Sequence, residues 1–266
     1  MFDLYNRRIN YLRVSVTDRC NLRCTYCMPE EGITLLKHTD ILTFEEILGF
    51  IEVALASGID KVRITGGEPL VRKNIIELIG EIAKLKGIKD LSLTTNGILL
   101  EQYAKPLFIA GLNRINISLD TIDIDSFASI TRGGDLNKVF AGIEAAKAVG
   151  LSPIKINCVI RDNSQEPDAL AIKKFCKENG LEARFIKQME LHSGSFSTVE
   201  GGEGGNCSSC NRLRLTANGK LKPCLFNDME FDIRQLGFHE AIRQATHQKP
   251  QCGTHNLTNA FHNIGG

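Results

Sequence analysis

Three thiols within eight residues make the densest reactive grouping in the chain: Cys20, Cys24 and Cys27, in the pattern CxxxCxxC. Thiolates are soft metal ligands, and a reducing compartment disfavours disulfides, so such a cluster of cysteines reads first as a metal site. A [4Fe–4S] cube normally takes four cysteines; a triad would leave one iron open to a further ligand. Zinc competes, but it prefers four protein ligands in paired CxxC or Cys/His arrangements, and no fourth partner stands nearby. A second triad, Cys207, Cys210 and Cys224, is a CxxC followed after thirteen residues by another cysteine. Cys252 or a nearby histidine could complete a zinc site here. Beside the first triad, a second cluster with an open iron is the better reading. Cys158 falls on a helix-facing strand position and Cys176 within a helix, where buried structural thiols are expected.

The elements that must position these thiols follow from periodicity. Strands are predicted near Leu12 to Val16, Lys61 to Thr65, Leu91 to Thr95, Arg114 to Leu119, Ile154 to Val159 and Ala183 to Lys187. Amphipathic helices fall between them: Thr43 to Ser57, opened by a capping box, then Asn74 to Lys86, Glu101 to Ala110, Asn137 to Val149 and Asp168 to Asn179. Strand then helix, repeated, gives parallel strands with right-handed crossovers. The first triad would then lie on the loop after the first strand, where a parallel α/β barrel carries its active site.

Strands of a parallel sheet covered on both faces usually read as continuous apolar runs, yet these alternate. Leu12, Val14, Val62, Ile64, Leu91, Leu93, Ile115 and Ile117 occupy one face; Arg13, Lys61, Arg63, Thr94, Ser118, Asp120 and Lys155 occupy the other. Successive side chains point to opposite sides, so the polar set is expected to line a shared lumen. An open sheet with one wet face is the plainer alternative. The expected fold is α/β: an incomplete parallel (β/α)6 TIM-like barrel over residues 1–192, with a small C-terminal iron–sulfur module over 193–266. In that module Arg212 to Thr216 and Leu221 to Leu225 flank Asn218-Gly219, a strong hairpin signal, which would set Leu213 opposite Cys224 and return that thiol close to Cys210. Arg13, Lys61, Arg63 and Lys155 would share the lumen with Asp120 alone for a partner, while Arg212 and Arg214 share a strand face. Guanidinium forks bind phosphate oxygens bidentately, so this set could hold an anion locally; as single residues each could equally be a structural ion pair.

CxxxCxxC after the first strand, with Gly66-Gly67-Glu68-Pro69 after the second, resembles the radical S-adenosylmethionine (SAM) superfamily. The stretch Cys207 to Thr216, with Arg13 to Pro29, Lys61 to Arg72, Thr94 to Gly97, Ile117 to Asp120, Lys155 to Asn157, Arg184 to Met189 and Ile264-Gly265-Gly266, closely resembles the molybdenum cofactor biosynthesis protein A family, the GTP 3',8-cyclases. That resemblance implies two [4Fe–4S] clusters on the six cysteines and SAM on the open iron of the first. Tyr26, Gly67, Ser118 and Met189 would contact SAM. GTP would meet Arg13, Lys61, Arg63, Thr94, Lys155, Arg184, Arg212, Leu213 and Arg214, with its base on the second cluster. Arg212, Arg214, Gly265 and Gly266 would serve catalysis. Hydrogen abstraction from the ribose 3'-carbon and attack of that carbon on guanine C8 would follow. An electron donor and a downstream pterin-forming enzyme are implied as partners, and a homodimer is allowed.

The chain of 266 residues is long enough for one substantial core, and its 42% hydrophobic and 24% charged residues are ordinary for a globular protein. A net charge of +1 removes the broad attraction used by non-specific nucleic-acid binders. No apolar run approaches a bilayer span, and Met1 to Leu12 is unlike a secretory signal; a cytoplasmic enzyme without membrane or nucleic-acid partners is expected. One feature departs from the family: the segment Ser193 to Asn206, rich in glycine, replaces a considerably longer one. The rival readings are a radical SAM enzyme that modifies a peptide, and a non-catalytic zinc-binding module.

Overall fold

A computed structural model gives the chain's architecture and describes residues 1–258 and Ile264. Six strands appear where the alternation places them, each within one residue or so: β1 (Tyr11–Ser15), β2 (Lys61–Thr65), β3 (Asp90–Thr95), β4 (Arg114–Ser118), β5 (Ile154–Ile160) and β6 (Glu182–Lys187). The helices between them are α1 (Phe44–Ala56), α2 (Ile75–Lys84), α3 (Leu100–Ile109), α4 (Ile124–Thr131), α5 (Leu136–Ala148) and α6 (Pro167–Asn179). Helix α1 starts where its capping box requires: Glu46 N donates to Thr43 Oγ1 at 3.2 Å, and Thr43 N to Glu46 Oε2 at 2.7 Å.

The apolar face of the strands is the core. Leu12, Val14, Val62, Ile64, Leu93, Ile115, Ile117 and Ile156 are fully buried under the helix layer. Each such side chain contributes about 1.5–3 kcal/mol, so the outer layer holds the barrel while the inner face is left free for polar groups. Helix α4, which the sequence reading missed, is short and ends with Arg132 in the left-handed region at φ +56.

The C-terminal segment joins the barrel's own sheet: β7 (Arg212–Leu215) pairs in parallel with β1, so one nine-stranded sheet runs β6-β5-β4-β3-β2-β1-β7-β8-β9. Strands β8 (Lys220–Lys222) and β9 (Phe231–Asp232) then add antiparallel, followed by α7 (Ile233–Leu236) and α8 (Phe238–His247). The hairpin register is one residue off the expected pairing. Arg214 faces Lys222, because the loop holds three residues, closed by Thr216 N on Lys220 O and by Gly219 at φ +82. Continuing that register brings Cys224 towards Arg212 rather than opposite Leu213. Leu213 has its side chain in the core, 1% exposed, leaving only its main chain for any contact with a ligand.

Residues 193–206 cross the open side of the barrel. Glu200 forms an antiparallel bridge with Phe185 of β6, through paired N–H to carbonyl bonds of 3.0 Å. The segment therefore covers the sheet edge, and Val199 and Gly204 from it reach the lumen.

Candidate active site

Two loops at the carboxyl ends of β1 and β2 build the first half of the site. The Cys20 to Cys27 loop turns on itself, with Cys27 N on Cys24 O at 2.9 Å. The end of α4 holds it in place: Thr25 N donates to Ile130 O at 2.9 Å, and Arg132 Nη1 donates to Arg23 O and Met28 O at 3.0 and 2.9 Å. The GGEP turn locks against it. Gly67 N donates to Thr17 O at 2.7 Å, and a Cβ at Gly67 would lie 2.4 Å from Arg19 O. Glu68 accepts from Leu70 N, Asn96 N and Thr95 Oγ1 at 2.7–3.0 Å, so the ends of β1, β2 and β3 are tied together. Burial pushes the Glu68 carboxyl up to about 7 despite those donors. Cys20 Sγ accepts from Leu22 N and from Asn96 Nδ2.

The second triad flanks the β7–β8 hairpin: Cys207 and Cys210 lie on the turn before β7, and Cys224 two residues past the end of β8. Cys210 N donates to Cys207 O at 3.3 Å. Two buried cations fix these segments. Arg7, itself paired with Asp3 at 2.6 Å, donates to Cys207 O at 2.7 Å, to Gln251 O at 2.8 Å and to Pro250 O at 2.6 Å. Lys249 donates to Arg212 O at 2.8 Å and to Pro223 O. Burial opposes ionisation of Cys210, but the charge of Lys249, the Arg212 N–H and the Arg212 charge outweigh it, and the thiol is lowered. Neither Arg7 nor Lys249 was singled out in the sequence; nothing in their local pattern separates them from a surface cation.

All six cysteines line one cavity of about 350 Å³. Tyr26, Gly67, Ser118 and Met189 line it too, as do Arg13, Thr94, Arg212 and Arg214. Tyr26 turns its hydroxyl onto Asp120 Oδ2 at 2.8 Å. A second cavity of about 150 Å³ lies beside it and shares Arg13 and Arg212; Lys61, Arg63 and Arg184 also line it. Among its residues that escaped the sequence reading are Tyr11, and Arg114, which is bound to Asp90 at 2.7 Å. Tyr11 was assigned to neither face, yet its ring lies 5.4 Å from Arg63 and 5.6 Å from Arg212. Lys155 lines neither cavity. Its ammonium is paired with Glu182 at the start of β6, so the expectation that Asp120 was the sole acid for these cations fails: Glu182 takes Lys155, and Asp90, on the wall of the second cavity, takes the additional Arg114.

The cations that do converge repel one another. Burial and the neighbouring Arg214 lower Arg13; burial pushes Arg63 down to about 10; burial and Arg114 lower Arg184; burial and Arg212 lower Arg214. Several polar atoms around them are buried without a hydrogen bond: Tyr11 Oη, Arg13 Nε, Thr94 Oγ1, Arg184 Nε and both side-chain polar atoms of Asn116. Native interiors seldom leave such groups unpaired; Tyr11, Arg13, Thr94 and Arg184 line the cavities, where a large anionic, hydrogen-bonding ligand would satisfy them, whereas Asn116 lines neither. The donor sets fit iron–sulfur clusters as well: each triad presents three thiols to one shared cavity, with N–H donors on Cys20. Gly265 and Gly266 lie outside the described residues. Ile264 is buried with Leu191, Leu225 and Phe226 against Met189 and Cys224, which line the cavity.

Residues 14–176 match the Radical SAM superfamily, and residues 165–253 match Molybdenum Cofactor Synthesis C. A GTP 3',8-cyclase of Thermodesulfovibrio yellowstonii is 41% identical over 305 residues, covering 94% of this chain and 95% of that protein. One from Peptoclostridium acidaminophilum is 43% identical over 277 residues, covering 88% and 85%. The first comparison spans more positions than this chain has residues, so that relative carries residues this chain lacks. Among solved structures, SuiB of Streptococcus suis bound to the precursor peptide SuiA superposes with a TM-score of 0.68 at 17% identity, over 92% of this chain and 66% of that one; at that identity the likeness is of fold. A partial barrel with a cysteine triad and a GGEP turn at adjacent strand ends is a radical SAM protein. Within that superfamily, the chain belongs to the family of GTP 3',8-cyclases.

Proposed function

We propose that the two adjoining cavities carry out the cyclisation for which the relatives are named, with GTP seated between two [4Fe–4S] clusters. Cys20, Cys24 and Cys27 would hold the first with SAM, which supplies the 5'-deoxyadenosyl radical by reductive cleavage. Cys207, Cys210 and Cys224 would hold the second, close to the base. The triphosphate belongs with Arg13, Arg63, Arg184 and Arg212, where guanidinium forks can take its oxygens. Thr94, on the wall of the larger cavity, offers a buried hydroxyl to the rest of the nucleotide. The observation that carries this reading is the set of buried, unbonded polar atoms around a concentration of cations.

The chain's own work is positional. Gly67 and Ser118 wall the SAM side, and the segment 193–206 shields the open flank of the barrel from water. The residues on the two cavity walls would orient the ribose towards the SAM side, and ring closure onto guanine C8 would need no protein nucleophile. An external one-electron donor is required, and the cyclic product would pass to a pterin-forming enzyme.

The decisive experiment replaces Cys207, Cys210 and Cys224 together by Ala. The parent chain, reconstituted anaerobically, is expected to bind about eight irons, and the variant about four. The variant should still cleave SAM under dithionite while yielding no cyclised nucleotide. A variant that retained all its iron, or a parent that formed cyclised product with only four, would overturn the assignment.

A further inference from the structure

The triad at β7 and β8 has a fourth thiol beside it that the proposed chemistry does not use. Cys252, exposed on the segment after α8, places its Sγ 3.0 Å from Cys207 Sγ, although the two residues are 45 apart in sequence. Their approach is enforced by neighbouring backbone. A single guanidinium nitrogen, Arg7 Nη1, donates to Cys207 O at 2.7 Å and to Gln251 O at 2.8 Å, so one buried cation clamps the two thiol-bearing segments together. Lys249 holds the same C-terminal segment onto β7 through Arg212 O. The separation does not suit two corners of one cube, where each thiolate reaches outward to its own iron, nor a tetrahedral zinc site, whose ligands at about 2.3 Å would stand roughly 3.8 Å apart. It suits a dithiol: closing to a bond of about 2.05 Å asks for a movement of roughly 1 Å.

We propose that Cys207 and Cys252 form a reversible disulfide whenever the second triad is without metal. In closing, the two thiols lose two protons and two electrons, and dioxygen accepts both pairs to become hydrogen peroxide. In opening, a small dithiol attacks by thiol–disulfide exchange and leaves as its own cyclic disulfide. Because Cys252 is exposed and Cys207 only partly covered, oxidant and reductant reach the pair from solvent. While it is closed, Cys207 is unavailable as a ligand and the triad is reduced to two thiols. Exposure to oxygen would thus store the site as a disulfide, protected from the irreversible higher oxides of cysteine. The bond itself stands on the thiol geometry; its consequence for metal loading rests on the proposed ligand role of Cys207.

The test uses the full chain prepared without iron. After exposure to air it is blocked with iodoacetamide, digested without reductant and mapped by mass spectrometry. The expected main cross-link joins the peptides bearing Cys207 and Cys252, and dithiothreitol abolishes it. A main link from Cys207 to Cys210 or to Cys224, or a Cys252 that stays alkylatable, would overturn the proposal. Iron loading gives the second arm. The air-treated parent should take up about four irons and recover to about eight only after dithiol treatment, whereas Cys252→Ser, given the same exposure, should still take up more than about six without dithiol. Equal loss in both would refute the protective consequence. Should the fully reduced parent itself load only four irons, the second-cluster reading fails while the mapped disulfide stands or falls by itself.

Discussion

The arginines that sequence alternation assigns to the lumen differ in what the fold leaves them. Arg63 is 6% exposed, donates to Ser92 Oγ at 3.2 Å, and has no carboxylate partner among its described contacts, whereas Lys155 is already neutralised by a half-exposed Glu182. A charge-assisted hydrogen bond is worth about 1.5–3 kcal/mol, so Arg63→Ala is expected to weaken GTP binding by roughly ten- to a hundredfold. Lys155→Met, which gives up a partly exposed pair worth about 0–1 kcal/mol, should weaken it less. Titration calorimetry on the reduced, unreacted enzyme checks both; the reverse ranking would return Lys155 to the phosphates. Glu68 offers a pH test. Its folded carboxyl lies near 7 against 4.5 for the free group, so the folded chain binds the extra proton between those values. Stability from this group is therefore complete below about pH 4.5 and declines as pH rises through 7, by at most about 3 kcal/mol. Urea melts of the ligand-free chain at pH 5.5 and 8 should show that decline, and Glu68→Gln should flatten it whatever it does to absolute stability.

At the level of elements, strands β1 to β6 were legible because a polar lumen stamps a period of two on the strands, and spacing singled out the six cysteines that the fold brings to one cavity. The hairpin register was not. Asn218-Gly219 suits a two-residue turn, but Ala217 joins the loop, and a single added residue shifts every later pairing. The union of β7 with β1 was equally hidden, since it depends on contacts between residues some 200 positions apart. Helix α4 is short and was passed over, although Arg132-Gly133-Gly134 marks its end and backs the cysteine loop. The segment 193–206 read as a flexible linker from its glycines, yet those glycines fit fixed, crowded places. Gly205 has φ +79, and a Cβ there would meet Ser197 O at 1.9 Å. Gly205→Ala is expected to displace the segment from the β6 edge while sparing the barrel. Limited proteolysis should then cut near residues 193–206 several times faster, and more 5'-deoxyadenosine should form per cyclised nucleotide. An unchanged ratio would mean that the segment does not seclude the reaction.

Across the whole molecule the charge is nearly balanced, at +1, yet its distribution is not. Arg63 is buried and Arg13, Arg184 and Arg214 partly buried, close enough for each to be lowered by desolvation and by other arginines. The outer apolar layer must therefore carry an interior that opposes folding until an anion enters, as is common where binding sites are built at the expense of stability. Among the described residues no helix is long and apolar enough to cross a membrane. A multivalent anion without base or ribose should relieve the repulsion by itself. Inorganic triphosphate at about a hundred times its dissociation constant would add about 2.7 kcal/mol, and for a chain of this size each kcal/mol moves the melting temperature by about 2–4 °C. Differential scanning fluorimetry of the ligand-free chain should therefore show a rise of roughly 5–10 °C with triphosphate, smaller with orthophosphate and reduced by salt, because the attraction is screened. In Arg63→Ala the rise should shrink by at least half. If triphosphate and an equal ionic strength of sodium chloride moved the transition alike, the lumen cations would not form a phosphate site, and the placement of the nucleotide would have to be reversed.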